Sequence, residues 1–411
     1  MFYTDNEVID FITENDVKFI RLSYCDIYGV QKNISIMPSE LRRAFRDGIS
    51  FDASAVRGFG DEVRSDLLLF PDPSTLALLP WRPSHGRVVR FFCDIKHPDG
   101  RTFEMDSRHI LKKAVRYAAG RGYTVSFGAE CEFYLFKCDA EGNPTDIPFD
   151  NAGYMDVSPL DKGENVRREI CLTLEEMGII PEASHHEEGP GQNEIDFRYS
   201  EPLVSADNVT TFKWVVKTVA ARNGLFATFD PKPIPDKSGN GFHINMAPKL
   251  IGGVTEQAVY DSFMAGVLDR AAELCAFLNP TEASFLRLGE NKAPKYITWS
   301  EQNRSQLIRI PAGDGEYKRI ELRSPDCRTN HYIAYALLIY AGMEGIENKK
   351  VPPVPIDLNL YKADKEIIDK LSKLPESLSE AVEIACRSEF IGRVLPKRVA
   401  EAYNPLYEKQ E

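Results

Sequence analysis

The chain of 411 residues is long enough for two domains, and its 43% hydrophobic content can bury at least one substantial core. A formal charge of −12 disfavours non-specific attraction to nucleic acid and leaves room only for a local basic pocket that takes an anionic substrate. The longest apolar stretches, such as Ala334 to Met343, fall short of the roughly 18 residues that a membrane-spanning helix needs.

At the N-terminus, MFYTDNEVIDFITEND places acids where a secretory signal carries a basic start and an unbroken apolar run, so a cytoplasmic protein is expected. Eight scattered cysteines without a Cys-x-x-Cys pair read as reduced and structural. From there to about residue 98, VKFIRLSYCDIYG, QKNISIMP and RVVRFFCDIKHPDG read as short strands and turns of a small β-rich domain. After the turn His97-Pro98-Asp99-Gly100, SRHILKKAVRYAAGRG has Ile110, Leu111, Val115 and Ala118 at helical spacing, and a larger domain over 99–411 starts there. That region alternates strand-like segments with helices such as ADNVTTFKWVVKTVAARNG and TEQAVYDSFMAGVLDRAAELCAFL, which predicts an α+β fold with a sheet backed by helices. VPPVPIDLNLY, at 351–361, interrupts the C-terminal helices and reads as a surface loop.

Four strand-like segments share one pattern. Residues two apart in a strand lie on one face, so GAECEFYLF puts Glu130 beside Glu132, with Cys131 and Phe133 opposite. NEIDFRY presents Glu194, Asp196 and Arg198 against Ile195, Phe197 and Tyr199, with Glu187 just upstream. GNGFHINM presents His243 and Asn245 against Phe242, Ile244 and Met246, and RIELR presents Arg319, Glu321 and Arg323 against Ile320 and Leu322. Each alone also fits a solvated strand, but the repetition predicts polar fronts that line one cavity. So many carboxylates would repel one another unless divalent cations neutralise them. Oxygen-rich donors with a single imidazole suit Mg²⁺ or Mn²⁺ better than zinc, and the arginines imply carboxylate or phosphate ligands. Metal, phosphate and carboxylate together predict phosphoryl transfer onto an acid.

GAECEFYLF, SHHEEGPGQNEIDFRY, DKSGNGFHINM, EQNRSQLIRIP and RIELRSPDCRTNHYIAYALL resemble successive signature segments of glutamine synthetases, and FDASAVRGF and FPDPSTLALLPW resemble that family's N-terminal domain. The resemblance implies a β-grasp-like domain over 1–98, followed by a catalytic domain over 99–411 with a curved antiparallel sheet. It implies two to three Mg²⁺ or Mn²⁺ ions, one held by Glu132, Glu187 and Glu194 and another by Glu130, His243 and Glu321. By the same resemblance Arg287, Arg323, Gly239 and Tyr154 would bind substrate, and His185, Asn245, Arg304 and Arg309 would bind ATP. Asp52 and Arg304 would be catalytic. The implied activity is ATP-dependent ligation of ammonia to the glutamate γ-carboxyl through γ-glutamyl phosphate, in a homo-oligomeric ring, a hexamer or dodecamer, in which Asp52 reaches a neighbour's site.

The chain departs from the family's pattern in the ammonium pocket: Ala55 stands at a serine position, and Lys292 stands where a loop glutamate precedes Ala-Pro. Lys292, placed at a catalytic position, would repel ammonium. Either it points away, or Glu290 swings in, or the acceptor is an alkylamine or polyamine. A non-catalytic relative is disfavoured by the complete ligand set. FIGRVLPKRVAEAYNPLYEKQE closes the chain without the longer tail by which many members grip the opposite ring, which leaves ring stacking open, and Tyr361 in NLYKAD reads as a surface aromatic.

Overall fold

The computed structural model describes residues 4–60, 63, 65–82, 84–313, 315 and 318–404. The closing residues 405–411, part of the tail discussed above, lie outside them. The first unit is a six-stranded sheet built from β1 (Val17–Cys25), β2 (Gln31–Ile36), β3 (Ile49–Asp52), β4 (Asp66–Pro71), β5 (Ala77–Leu78) and β6 (Arg87–Lys96). Its order is β2-β1-β6-β4-β3, with β1 and β6 parallel and β5 added against β6. Strand-by-strand reading overlooked the helix Asp5–Glu14, which Thr4 and Glu7 close with a capping box and which buries only Val8 and Ile12. So few apolar residues, on one narrow stripe, give a weak periodic signal.

The second unit carries a nine-stranded sheet: β7 (Tyr123–Cys138), β8 (Pro144–Pro148), β9 (Pro181–His186), β10 (Gln192–Ser200), β11 (Leu225–Thr228), β12 (Phe242–Leu250), β13 (Trp299–Glu301), β14 (Ile308–Ile310) and β15 (Ile320–Leu322). The order is β13-β14-β15-β12-β7-β10-β9, with β8 and β11 also paired to β7. It is mixed rather than purely antiparallel, because β13 runs parallel to β14. The two are joined by a tight excursion after Glu301 in which Gln302 takes a left-handed φ of 56°.

The apolar backs predicted for these strands form the core. Cys131 lies opposite Ile195 on one side and Phe242 on the other, and all three are fully buried. Helices Pro202–Arg222, Gln257–Leu278 and His331–Glu347 cover that face, the last nearly apolar around its whole circumference, as a fully enclosed helix must be. Phe127 stacks on Tyr335 with ring centroids 4.1 Å apart, tying the long strand β7 to the enclosed helix. No helix among the described residues is long and apolar enough to cross a membrane, and no cysteine among them is disulfide-bonded. The Pro-rich stretch is a loop with Val351 and Val354 exposed, as expected.

The two units are joined by buried charge. Arg108, near the start of the helix Ser107–Ala119, lies 2.9 Å from Asp72 and 3.1 Å from Asp94 of the first unit and 3.0 Å from Asp207 of the second. Asp207 is held in turn by the Tyr332 hydroxyl at 2.7 Å. Lys112 also pairs with Asp94 at 2.6 Å and Asp72 at 3.7 Å, so removing Arg108 takes the ion-pair partner from the buried Asp207 and weakens the pairing of the other two. Arg108→Met is therefore expected to lower unfolding stability by about 3–5 kcal/mol; chemical denaturation followed by circular dichroism checks this, and an unchanged midpoint would show that the seam tolerates Asp207 without its cation.

Candidate active site

The strand register assembles the site. Glu130 on β7 lies opposite His243 on β12 and Asp196 on β10, and Glu132 lies opposite Glu194, which itself faces His185 on β9. On the other flank, Asn245 faces Glu321 on β15, which faces Arg309 on β14. Side chains directly opposite on one face are close neighbours, so three cross-strand rows bring together residues scattered over some 190 positions of sequence. All but Asn245 and Glu321, which lie just behind the surface, line a cavity of about 300 Å³.

One group at that surface is Glu130 and His243 with Glu321 buried behind them, whose ligand atoms all lie within 4.8 Å of one another. His243 Nδ1 is 3.1 Å from Glu130 and 3.8 Å from Glu321. Burial alone would push the Glu130 carboxyl up, but the His243 contact and a 2.8 Å hydrogen bond from Asn245 Nδ2 outweigh it and hold the group down at about 2. A second group gathers His185, Glu187 and Glu194, and a third gathers Glu130, Glu194 and Asp196. Glu132, expected alongside Glu187 and Glu194, stands at the edge of that set: its Oε2 accepts from Gln192 Nε2 at 3.0 Å and from the Gly241 amide at 2.9 Å.

Burial and the neighbouring carboxylates push Glu194 and Asp196 well above the usual carboxylate range, and burial with Glu132 raises Glu187. Asp196 Oδ1 is buried with no hydrogen-bond partner. An orphaned carboxylate oxygen among mutually repelling acids fits a divalent cation with oxygen ligands. Asp196 carries no role in the sequence reading, and its alternation with Glu194 on one strand face is the signal that points to it.

The opposite wall is cationic. Glu321, wholly buried, is gripped by Arg309 on one oxygen and Arg323 on the other. The Nε atoms of both arginines are buried without partners. Arg287, at the end of the helix Glu282–Arg287, donates to the Ser324 and Arg323 carbonyls at 2.8 and 3.3 Å and turns into the cavity. Arg304 lines the rim, and Arg319, not singled out for a role from sequence, also reaches the cavity. Glycines keep this space open. A Cβ on Gly239 would lie 2.2 Å from the Pro231 carbonyl oxygen, and one on Gly241 would lie 2.8 Å from both Arg287 Nη2 and His243 Nε2.

Three residues named from sequence lie outside this chain's own cavity, as was expected of Asp52 alone. Asn245, expected at ATP, does not line the cavity; it donates to Glu130 and accepts from Arg319 Nε at 3.1 Å, so it orients other side chains. Asp52 lies exposed at the end of β3 in the first unit, bonded to the Ser54 amide and hydroxyl, outside this chain's own cavity. Glu290 does not turn in: it pairs with Lys232 at 3.2 Å, whereas Lys292 points into the cavity mouth and pairs with Glu188.

Comparison with known proteins bears on this arrangement. Residues 16–98 match the family model for the glutamine synthetase β-grasp domain, and residues 104–410 match that for the glutamine synthetase catalytic domain. The chain belongs to the glutamine synthetase family. Glutamine synthetases of Methanosarcina mazei and Thermus thermophilus are each 42% identical to it over 97% of its length, covering 92% and 93% of the relative. That of Staphylococcus aureus is 40% identical, again over 97% of this chain and 92% of the relative. Among solved structures, a GmaS/ADP complex superposes with a TM-score of 0.88 at 29% identity, covering 100% of this chain and 96% of that one. The cryo-EM structure of Plasmodium falciparum glutamine synthetase, 23% identical with a TM-score of 0.87 and the same coverage, shares the fold. Members of this family use ATP and divalent metals, in keeping with a wall of carboxylates facing a wall of guanidinium groups.

Two outcomes test the site. Millimolar Mn²⁺ is expected to raise the melting temperature of the native protein, and to do so far less for Glu321→Ala, since a ligand that binds only the folded state stabilises it; equal shifts in both would remove Glu321 from the cation site. Gly241→Ala, which forces a Cβ between Arg287 and His243, is expected to cut turnover by roughly a hundredfold or more, in line with a displacement of about 1 Å at a reacting centre.

Proposed function

We infer that the protein is a glutamine synthetase, an ATP-dependent ligase joining ammonia to the γ-carboxyl of glutamate. The observation that carries this reading is the facing of carboxylates and His243 against Arg287, Arg309 and Arg323 within one small cavity. A carboxylate is a poor acyl donor, so the γ-carboxyl must first take the terminal phosphoryl group of ATP; ammonia then displaces phosphate from γ-glutamyl phosphate. Two to three Mg²⁺ or Mn²⁺ ions, on Glu130, His243 and Glu321 and on Glu187 and Glu194 with Glu132 beside them, supply charge neutralisation to the phosphate and carboxylate oxygens when bound.

The chain's own residues do the rest. Arg287 and Arg323, with the Gly239 backbone, hold glutamate, since a guanidinium fork matches a carboxylate at two points. Arg304 and Arg309 hold ATP phosphates and stabilise the transferring group, and His185 lies beside the nucleotide. Asn245 supports ATP binding at one remove, through Glu130 and Arg319. Tyr154 stands at the acceptor's side of the mouth. Asp52 completes that pocket from a neighbouring copy of the chain, which makes a closed ring the assembly to expect, hexameric or dodecameric. The protein acts in the cytoplasm, as a β-grasp domain over 1–98 and a catalytic domain over 99–411.

The test is phosphate release from ATP with Mg²⁺ and glutamate, across ammonium, hydroxylamine, small alkylamines and polyamines, with the γ-glutamyl product identified. Ammonium is expected to support the highest kcat/KM and to yield glutamine. Turnover confined to an organic amine would refute ammonia as the acceptor, and silence with every amine would refute the ligase reading.

A further inference from the structure

The mouth of the cavity carries a cation that neither glutamate nor ATP explains. Lys292 follows the helix Glu282–Arg287 on a turn closed by the Gly289 amide on the Ala293 carbonyl at 2.9 Å. Asn291 and Lys292 both adopt left-handed backbone, with φ of 44° and 67°, a conformation that a lysine adopts reluctantly. That turn carries the lysine side chain across to the strand β9 side, where its Nζ pairs with Glu188 and lies 5.6 Å from the centre of the Tyr154 ring.

Glu188 is held for this contact. Its second carboxylate oxygen accepts from Ser238 Oγ at 3.3 Å, and its amide donates to the Glu187 carboxylate at 2.9 Å. Tyr154 is fixed edge to face against His185, with ring centroids 5.4 Å apart. A carboxylate beside an aromatic face is the surface that recognises a small ammonium ion. In this chain that surface meets an ammonium group already, the one on the lysine. The Lys292 and Glu188 side chains are 50% and 33% exposed, so the pair is weak and open to exchange with solvent ions.

We propose that Glu188 and Tyr154 form the seat for the cationic nitrogen acceptor, and that the Lys292 ammonium occupies this seat until the acceptor displaces it. Lys292 is then a tethered competitor that sets how much acceptor the enzyme needs. The proposal deepens the ligase reading above and rests on it.

The experiment titrates ammonium and, separately, methylamine against the native enzyme, Lys292→Met, Glu188→Gln and the double variant, at saturating ATP, Mg²⁺ and glutamate. Lys292→Met is expected to lower the acceptor KM by roughly two- to fivefold, the range that an exposed ion pair spans. Glu188→Gln raises it, and adding Lys292→Met to Glu188→Gln brings no further fall, because the competitor has lost its seat. The glutamate KM, read alongside, reports whether each variant has kept its fold. A Lys292→Met enzyme whose acceptor KM is unchanged or higher, or that changes only in kcat, overturns the competitor role while native glutamine formation leaves the ligase reading standing. A native enzyme silent with both amines overturns the two together.

Discussion

Everything in the site depends on the mutual repulsion of carboxylates that the sheet register forces together. Glu130, Glu132, Glu194 and Asp196 occupy adjacent positions on two neighbouring strands, with Glu187 just beyond their end. Left to itself such a cluster would protonate or splay apart, and the raised affinity of Glu194 and Asp196 for protons records that tension. The protein relieves it on one flank with its own cations. Glu321 is neutralised by Arg309 and Arg323, while Glu130 is held by hydrogen bonds with His243 and Asn245. The middle of the wall keeps Asp196 Oδ1 without a partner, and there a divalent ion fits.

The same constraint explains why the fold behind the site admits only one register. A one-residue slip between β7 and β10 would exchange Glu130 and Glu132 for Cys131 and Phe133 across the whole front. The apolar back, with Cys131 between Ile195 and Phe242 and Phe127 against Tyr335, makes such a slip costly because each slipped residue would bury charge against three helices. Core packing and active-site chemistry are thus two faces of one register. The buried Arg108 cluster adds a tie between the units through charge rather than apolar area, a connection that loses much of its strength if any one partner is removed.

At the mouth, the chemistry changes from metal-binding acids to a lysine on a carboxylate. Lys292 and Glu188 lie about a hundred residues apart and are individually unremarkable as sequence. Glu290, the acid nearest in the chain to the altered position, is drawn off by Lys232. Competition between two lysines for two acids therefore decides which charges face the substrate, and this is settled by loop geometry, with left-handed turns at Asn291 and Lys292.

Local alternation along single strands determined the polar fronts and apolar backs, because side-chain direction in a strand has a strict period of two and needs no partner to define it. The long helices were legible for a similar reason, and the family resemblance followed from motifs whose order is linear. Which front residue meets which was not legible: that depends on interstrand register, as when Glu132 is claimed by Gln192 and the Gly241 amide while His185 joins Glu187 and Glu194. The parallel pairing of β13 with β14, the diversion of Asn245 to Glu130 and the partner of Lys292 were likewise decided only in three dimensions. Each is a contact between segments far apart in the chain, where the choice among several chemically equivalent partners rests on geometry alone.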